Sequence, residues 1–275
     1  MKPSNYLTRC LNILFKLVII LIFVFPFYWM IITSFKPFAE TIIFPPTLWP
    51  REFIWSNYRR VWESAPFWTY AKNSVVITLS IIVLQMGITI PAAYGFAKFN
   101  FKFKNLLFGV VLLAFMIPAN VTFISVYILM ADWGLLRTLL PQILPHGASA
   151  FSIFLLRQSF MQVQEEIIES ARLDGASELK IMFQIMLPMS KPALTTIALF
   201  SFIGHWNSYF WPLVMTDTAA VRPLPIAVAM LRDIEGSLNW ELIMAGNVIL
   251  VLPIVIVYLL MSKRIIQAFA YRGIK

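Results

Sequence analysis

Long apolar runs separated by short polar segments dominate this chain. A helix needs about 20 mostly apolar residues to cross a bilayer. Six stretches approach that length: residues 17–34, 74–97, 106–131, 139–156, 193–215 and 242–262. The fourth is interrupted by Pro141, Pro145 and Gly147, which membrane helices tolerate when neighbouring groups or water satisfy the freed carbonyls. The pattern predicts an all-α, polytopic membrane bundle of six transmembrane helices.

Composition supports a membrane protein and disfavours a soluble enzyme. Apolar residues make up 60% of the chain and charged residues 13%, whereas soluble domains have about 25% charged residues. The formal net charge is +9. In a soluble protein that excess would suggest a nucleic-acid partner, but these charges are too scattered to form a basic face. The single cysteine, Cys10, excludes an internal disulfide.

Lysine and arginine are concentrated on one predicted side of the membrane. By the positive-inside rule, the basic segments face the cytoplasm. They are the N-terminus, residues 98–104, residues 157–191 and the tail. This side has 14 basic and five acidic residues, whereas the other has eight of each. Both termini are therefore predicted to be cytoplasmic, and the whole excess charge is a topology signal.

The span assignments divide the chain into three parts. These are a cytoplasmic N-terminus (1–16), a transmembrane domain (17–262) and a cytoplasmic tail (263–275). The longer predicted connections within the transmembrane domain are the outer loops 35–72 and 216–240 and the cytoplasmic loop 157–191. All five predicted cytoplasmic acids lie in that cytoplasmic loop.

Catalytic and nucleotide-binding motifs are absent from the sequence. It contains no Gly-x4-Gly-Lys-Ser/Thr, HExxH or GxSxG pattern, so the chain is expected to have no ATP site of its own. The two histidines are predicted to be helix-packing groups. No span has a central charged residue, which argues against coupling to an ion gradient. Asn120 and Asn207 are candidates for lining a solute path, although interhelical hydrogen bonding is the favoured explanation for each of them.

The cytoplasmic loop 157–191 reads as a helix, a turn and a second helix. Residues 165–173 alternate apolar and charged positions with helical spacing. Gly175 can adopt the left-handed conformation that ends a helix. Ser177 can then cap a second helix, which is predicted to run to about Met186 and end before Pro188. Such a structure outside the membrane suggests a docking device; the alternative is a surface hairpin without a partner.

Part of this loop resembles the EAA signature of ABC-importer permeases. The matching pattern is Glu169-Ser170-Ala171, three residues, Gly175, nine residues, and Ile185-x-Leu187-Pro188. Further segments resemble the maltose-type (MalG-like) carbohydrate permeases: Thr33-Ser34-Phe35-Lys36-Pro37, Asn73-Ser74, Ala92-Ala93-Tyr94-Gly95-Phe96-Ala97, Ile117-Pro118, Leu173-Asp174-Gly175-Ala176-Ser177 and Trp206-Asn207-x-x-x-Trp211-Pro212-Leu213. The resemblance covers nearly the whole chain.

The resemblance implies a MetI-like ABC type-1 transmembrane fold and a role as one permease subunit of a carbohydrate importer. The solute would be a sugar, oligosaccharide, polyol or glycerol phosphate. The implied partners are a second homologous permease, an ABC ATPase dimer and an extracytoplasmic solute-binding protein, with no nucleic acid. ATP and magnesium would bind the ATPase, and this chain would bind no cofactor or metal. The implied location is a bacterial or archaeal plasma (inner) membrane.

The resemblance also assigns residues to these contacts. The expected ATPase-coupling residues are Glu169, Ser170, Ala171, Arg172, Asp174, Gly175 and Ala176. The expected binding-protein loop has Thr218, Ala219, Ala220 and Val221 at its tip.

Three features depart from the family pattern. Ser170 replaces an alanine, and Gln164 replaces a proline, which is expected to lengthen the first docking helix. The tail 270–275 matches the Gly-rich ending of the family only in part. The resemblance therefore does not assign the tail a contact with the ATPase. The competing interpretations are a secondary transporter, a structural membrane subunit and a membrane-embedded enzyme.

Overall fold

The computed structural model describes the backbone of residues 4–232 and 238–270, and the side chains of 8–118, 120–232 and 238–262. Within that part, the regular elements are helical and no strand occurs. The helices are α1 (Ser4–Ser34), α2 (Phe38–Thr41), α3 (Ser56–Glu63), α4 (Phe67–Lys98), α5 (Lys104–Met116), α6 (Ala119–Asp132), α7 (Leu140–Ile143), α8 (Ala150–Met161), α9 (Glu165–Leu173), α10 (Glu178–Ile181), α11 (Leu187–Met189), α12 (Lys191–Trp206), α13 (Phe210–Met215), α14 (Leu224–Met230) and α15 (Trp240–Ala270).

Three helices in the described part are long and apolar enough to cross a membrane without a break. They are Thr8–Ser34 within α1, the whole of α4, and Trp240–Ser262 within α15. They coincide with the first, second and sixth predicted spans, and α4 begins seven residues earlier than predicted. Each contains an internal proline, which a membrane helix accommodates when other groups satisfy the freed carbonyl.

The third predicted span is not one straight helix. Lys104–Met116 and Asn120–Asp132 are bent by 95° at the break between them. Pro118 causes this break, because the residue before a proline is driven away from helical geometry. Ile117 accordingly has φ −75° and ψ 120°. The prediction of a continuous helix over residues 106–131 is wrong.

The fourth predicted span, residues 139–156, is also wrong as a single helix. It consists of α7, a 3-10 turn at Leu144–His146, and α8, which continues to Met161. Pro145 removes the hydrogen bond that the carbonyl of Pro141 would accept in a helix. That carbonyl accepts instead from Trp211 Nε1 at 2.9 Å. A neighbouring side chain thus satisfies the freed group, as the sequence led us to expect.

The fifth predicted span, residues 193–215, breaks near its end. Helix α12 stops at Trp206 and α13 starts at Phe210. Pro212 explains the break, because its ring would clash with the carbonyl of Ser208 in a continuous helix. At its other end, Lys191–Trp206 is bent by 80° from Glu178–Met189. The total of six spans remains a prediction.

The chain divides into two compact units. The first comprises described residues within 1–68 and 227–253, and the second those within 69–226 and 254–275. In the first unit, the segment after α1 is an ordered cap. Asn57 Nδ2 donates to the carbonyls of Ser34 at 3.0 Å and Lys36 at 2.9 Å. These bonds tie α3 to the end of α1, so part of the predicted outer loop 35–72 is a helical cap.

The second unit contains an apolar cluster that joins α4, α8, α9, α10 and α12. Its buried members are Ala93, Tyr94, Leu156, Phe160, Val163, Ile168, Ile181, Met182, Met186 and Ile197. The cluster packs the helix–turn–helix of loop 157–191 against three apolar helices. A displacement of that loop is therefore transmitted to those helices through van der Waals contacts.

Candidate functional site

The helix–turn–helix forms from short-range signals in the sequence. Helix α9 spans Glu165–Leu173, as predicted. Glutamates lie in its first turn and Arg172 in its last turn, where each favours the helix dipole. Gly175 has φ +76°. The N–H of Gly175 donates to Arg172 O and that of Ala176 to Ala171 O, both at 3.0 Å. This is a Schellman ending, which satisfies the last helical carbonyls.

Gln164 does not lengthen α9, contrary to the sequence-based expectation. It has ψ 135° and precedes the helix. Lys98 Nζ donates to the carbonyl of Val163 at 3.1 Å. That bond fixes the Val163 carbonyl, which precedes Gln164, and so favours a helix start at Glu165.

The second helix begins as predicted but ends later. The N–H of Lys180 donates to Ser177 Oγ at 3.4 Å, so Ser177 caps α10. The chain continues through a π-helical turn at Met182–Met186 and then α11, which includes Pro188. The predicted end before Pro188 is wrong. The π-helical turn shifts the hydrogen-bond register, so the proline falls within a helical segment.

Burial divides the predicted coupling residues into two groups. Ala171 and Ala176 pack against the apolar cluster, in which the neighbouring Ile168, not one of the predicted residues, is fully buried. The outward surface is formed by Glu169, Ser170, Arg172, Leu173, Asp174 and Gly175. Leu173 is 89% exposed and was missed as a site residue. Its position beside Asp174 and Gly175 could have identified it.

A chain of charged groups links this loop to the end of α4. Lys98 Nζ lies 2.8 Å from Glu165 Oε2, and Arg172 lies 3.8 Å from Glu165 Oε1. Arg172 Nε also donates to Glu178 Oε1 at 2.8 Å. The hydroxyl of Tyr94 donates to Glu178 Oε2 at 2.5 Å. The hydrogen bond with Glu178 is the largest cause of a raised pKa at Arg172. We call these five residues the loop latch.

Neutralising Glu178 should loosen the helix–turn–helix. Glu178→Gln removes the charge that pairs with Arg172, and partly exposed pairs contribute up to about 1 kcal/mol. If the loop opens locally, that change accelerates proteolysis roughly fivefold. Thermolysin cleavage near the exposed Leu173 measures it. Glu63→Gln removes the exposed pair with Arg59 elsewhere and should leave this rate unchanged. Equal rates in Glu178→Gln and the unmodified protein would contradict the latch.

Side chains from elsewhere in the chain form hydrogen bonds with the backbone of the predicted binding-protein loop. Residues Ala219–Val221 form a 3-10 turn. Asn73 Nδ2 donates to Ala220 O at 2.8 Å, and Gln142 Nε2 donates to Val221 O at 2.9 Å. Thr218 is half-buried, Ala219 and Ala220 are exposed, and Val221 is buried. Only the exposed part of the predicted tip is available to a partner.

The two candidates for the solute path are both exposed. Asn120 lies in the first turn of α6, and Asn207 lies just past the end of α12. Asn207 Nδ2 donates to Ile203 O at 3.0 Å, so part of its hydrogen-bonding capacity is used locally. Their role in a solute path remains a prediction.

The structure brings together two histidines that are 59 positions apart in the sequence. The rings of His146 and His205 have centroids 4.7 Å apart, and the ring of Trp211 lies 5.0 Å from that of His146. No pattern in the sequence indicates this proximity. Across the described residues, no group of three or more His, Cys, Asp and Glu side chains could hold a metal.

An anchored helix–turn–helix joined to membrane-length apolar helices is the arrangement of a membrane protein with a docking element. A family model described as "Binding-protein-dependent transport system inner membrane component" matches residues 85–271. The chain belongs to this family, and it is a permease subunit of a binding-protein-dependent ABC importer with the MetI-type fold.

Full-length relatives support the same assignment. The arabinooligosaccharides transport system permease protein AraQ of Halalkalibacterium halodurans is 33% identical, and the match covers 100% of this chain and 99% of that protein. The sn-glycerol-3-phosphate transport system permease protein UgpE of Yersinia pestis bv. Antiqua is 31% identical, with 89% of each covered.

A solved structure is similar over almost the whole fold. A chain of a bacterial ABC transporter involved in the import of the acidic polysaccharide alginate has a TM-score of 0.85 and 25% identity. The match covers 96% of this chain and 98% of that chain. The expected class of protein is thereby confirmed.

Proposed function

We propose that this chain is one half of a heterodimeric permease that imports a carbohydrate, driven by a separate ABC ATPase dimer. An extracytoplasmic binding protein delivers the solute. The anchored helix–turn–helix carries the proposal, because its tip is exposed while its base is packed into the membrane-associated helices. The names of the relatives support the carbohydrate class.

The geometry suggests how ATP-driven motion reaches the permease. An ATPase subunit binds the exposed surface around Glu169, Leu173 and Gly175. The displacement then passes through Ile168 into the apolar cluster and through the loop latch into α4. A rigid-body shift of packed helices alters which side of the path is open. ATP and magnesium act in the ATPase, and this chain binds no cofactor.

The first helix supplies a surface for the second permease. The most apolar part of Thr8–Ser34 has no buried residues in this chain. Such a helix can pack against lipid or another protein, and the proposed heterodimer needs a large apolar contact. We assign this face to the second permease.

The outer 3-10 turn is assigned to the binding protein. Asn73 and Gln142 fix its backbone, while Ala219 and Ala220 remain exposed. A fixed backbone with small exposed side chains lets a partner approach closely.

Transport by the complete complex in liposomes tests this proposal. With the binding protein outside and ATP inside, radiolabelled arabinotriose uptake should depend on ATP hydrolysis. A mixture with ATP replaced by a non-hydrolysable analogue is the control. Uptake that survives ATP removal and follows an ion gradient would establish a secondary transporter instead. Failure of an ATPase to co-purify with the chain would indicate a structural subunit.

A further inference from the structure

A cavity in the first unit lies where the first span ends on the predicted outer side. It has a volume of about 250 Å³. The end of α1, the following cap and the start of α15 contribute its walls. The lining residues are Trp29, Thr33, Lys36, Glu40, Thr41, Pro46, Trp240 and Met244. We call this cavity the outer pocket.

Two polar groups of the outer pocket have unused hydrogen-bonding capacity. Thr33 is 4% exposed, and its Oγ1 has no hydrogen-bond partner among the described residues. Lys36 is 1% exposed. An ammonium has three donors, and within the described part Lys36 Nζ donates to one oxygen, Thr47 O, at 2.5 Å. Burial lowers the pKa of Lys36, with a smaller opposing effect of Glu40.

The charge of the outer pocket is balanced. Glu40 is 4% exposed. Its Oε1 accepts from Thr47 Oγ1 at 2.5 Å and its Oε2 from the N–H of Arg51 at 3.1 Å. A carboxylate in the same wall as Lys36 disfavours a phosphate or a second carboxylate. The pocket therefore favours an uncharged ligand that accepts and donates hydrogen bonds.

The aromatic walls define the shape of that ligand. Trp29 and Trp240 supply indole surfaces, and Lys36 Nζ lies 4.6 Å from the Trp29 ring centroid. A saccharide ring has apolar C–H faces and hydroxyl edges, which match an aromatic wall with a few polar groups at its rim. Sites for drug-sized molecules measure about 300–1,000 Å³. The outer pocket is smaller, at about 250 Å³, so it is suited to a single saccharide ring.

We propose that the outer pocket binds one ring of a neutral saccharide, the solute of the transporter, on the outer side of this chain. The proposal rests on the carbohydrate importer function given above. It gives a role to Thr33-Ser34-Phe35-Lys36-Pro37, a segment that ATPase docking does not explain. Thr33 and Lys36 of that segment bind hydroxyl groups, and the tryptophans bind the ring face.

Saccharide binding to the permease–ATPase complex in nanodiscs tests the outer pocket. The binding protein is left out, because it would capture the sugar itself. Calorimetric titration with arabinotriose should show weaker binding by about five- to tenfold for Thr33→Val, the loss expected for one hydrogen bond. Trp240→Leu should weaken binding at least tenfold. Glycerol 3-phosphate should bind the unmodified complex at least tenfold more weakly than arabinotriose.

Two matched variants control for effects on folding. Thr89→Val removes a hydroxyl that is also buried without a hydrogen-bond partner among the described residues, but lies outside the outer pocket. Trp68→Leu removes a 71% exposed tryptophan. Both should bind arabinotriose like the unmodified complex. Equal losses in Thr33→Val and Thr89→Val would overturn the proposal.

The remaining outcomes separate the outer pocket from the proposed function. If the complex takes up arabinotriose in an ATP-dependent way but does not bind arabinotriose when the binding protein is left out, the outer-pocket proposal alone is overturned. Binding that Thr33→Val weakens, without any uptake, would support the pocket and contradict the proposed transport. Binding in detergent that added phospholipid abolishes would assign the pocket to a lipid headgroup and overturn the saccharide assignment. The absence of both binding and uptake would overturn both proposals.

Discussion

Replacing Gly175 with proline should reduce uptake by the reconstituted complex at least 100-fold while the protein still reaches the membrane. Proline fixes φ near −65°, whereas Gly175 has φ +76°. It also lacks the N–H that donates to Arg172 O in the Schellman ending. The turn would open and misdirect the exposed tip, so the ATPase should no longer stimulate transport.

Gly175→Asn is the matched control. Asparagine tolerates the left-handed conformation, and a Cβ at this position has no atom of the chain within 4 Å. This variant should keep the turn and most of the uptake. Unchanged uptake by Gly175→Pro would contradict the docking role of the turn.

The charge on the exposed face can be tested on the same helix. Glu169→Lys should abolish ATPase co-purification, because the proposed contact would meet a reversed charge. Glu166→Lys alters another exposed glutamate of α9 and should have a smaller effect. The reverse order of effects would contradict the assignment of Glu169.

Replacing Ile168 with aspartate should uncouple the loop from the membrane-associated helices. Ile168 is 0% exposed in the apolar cluster. An unpaired carboxylate there costs several kcal/mol, about 3–5 kcal/mol by analogy with broken buried ion pairs. That cost exceeds the contribution of the partly exposed loop latch, so α9 should detach. Thermolysin should then cleave the loop far faster, and uptake should be lost.

The neighbouring residue provides the control for this substitution. Ile167 belongs to the same helix and is 37% exposed. Ile167→Asp can keep its charge hydrated, so it should cost about 1 kcal/mol or less and leave cleavage of α9 nearly unchanged. Similar cleavage rates for the two variants would show that Ile168 does not anchor the loop.

Local signals in the sequence determined the helix–turn–helix. The end of α9, the left-handed Gly175 and the cap at Ser177 depend on residues within one or two helical turns. Hydrogen bonds of that range are determined by neighbouring residue types. The first, second and sixth apolar runs likewise predicted the three continuous membrane-length helices.

Only the tertiary structure decided which distant groups meet. Tyr94 and Glu178 are 84 positions apart, Lys98 and Glu165 67, and Trp211 and Pro141 70. The prolines were visible in the sequence, but which of them breaks a helix was not: Pro26, Pro91 and Pro253 lie within continuous helices, whereas breaks accompany Pro118 and Pro212. Packing between helices determines this, as it determines the outer pocket and the loop latch. The apolar runs are all compatible with many such packings, and only folding selects one.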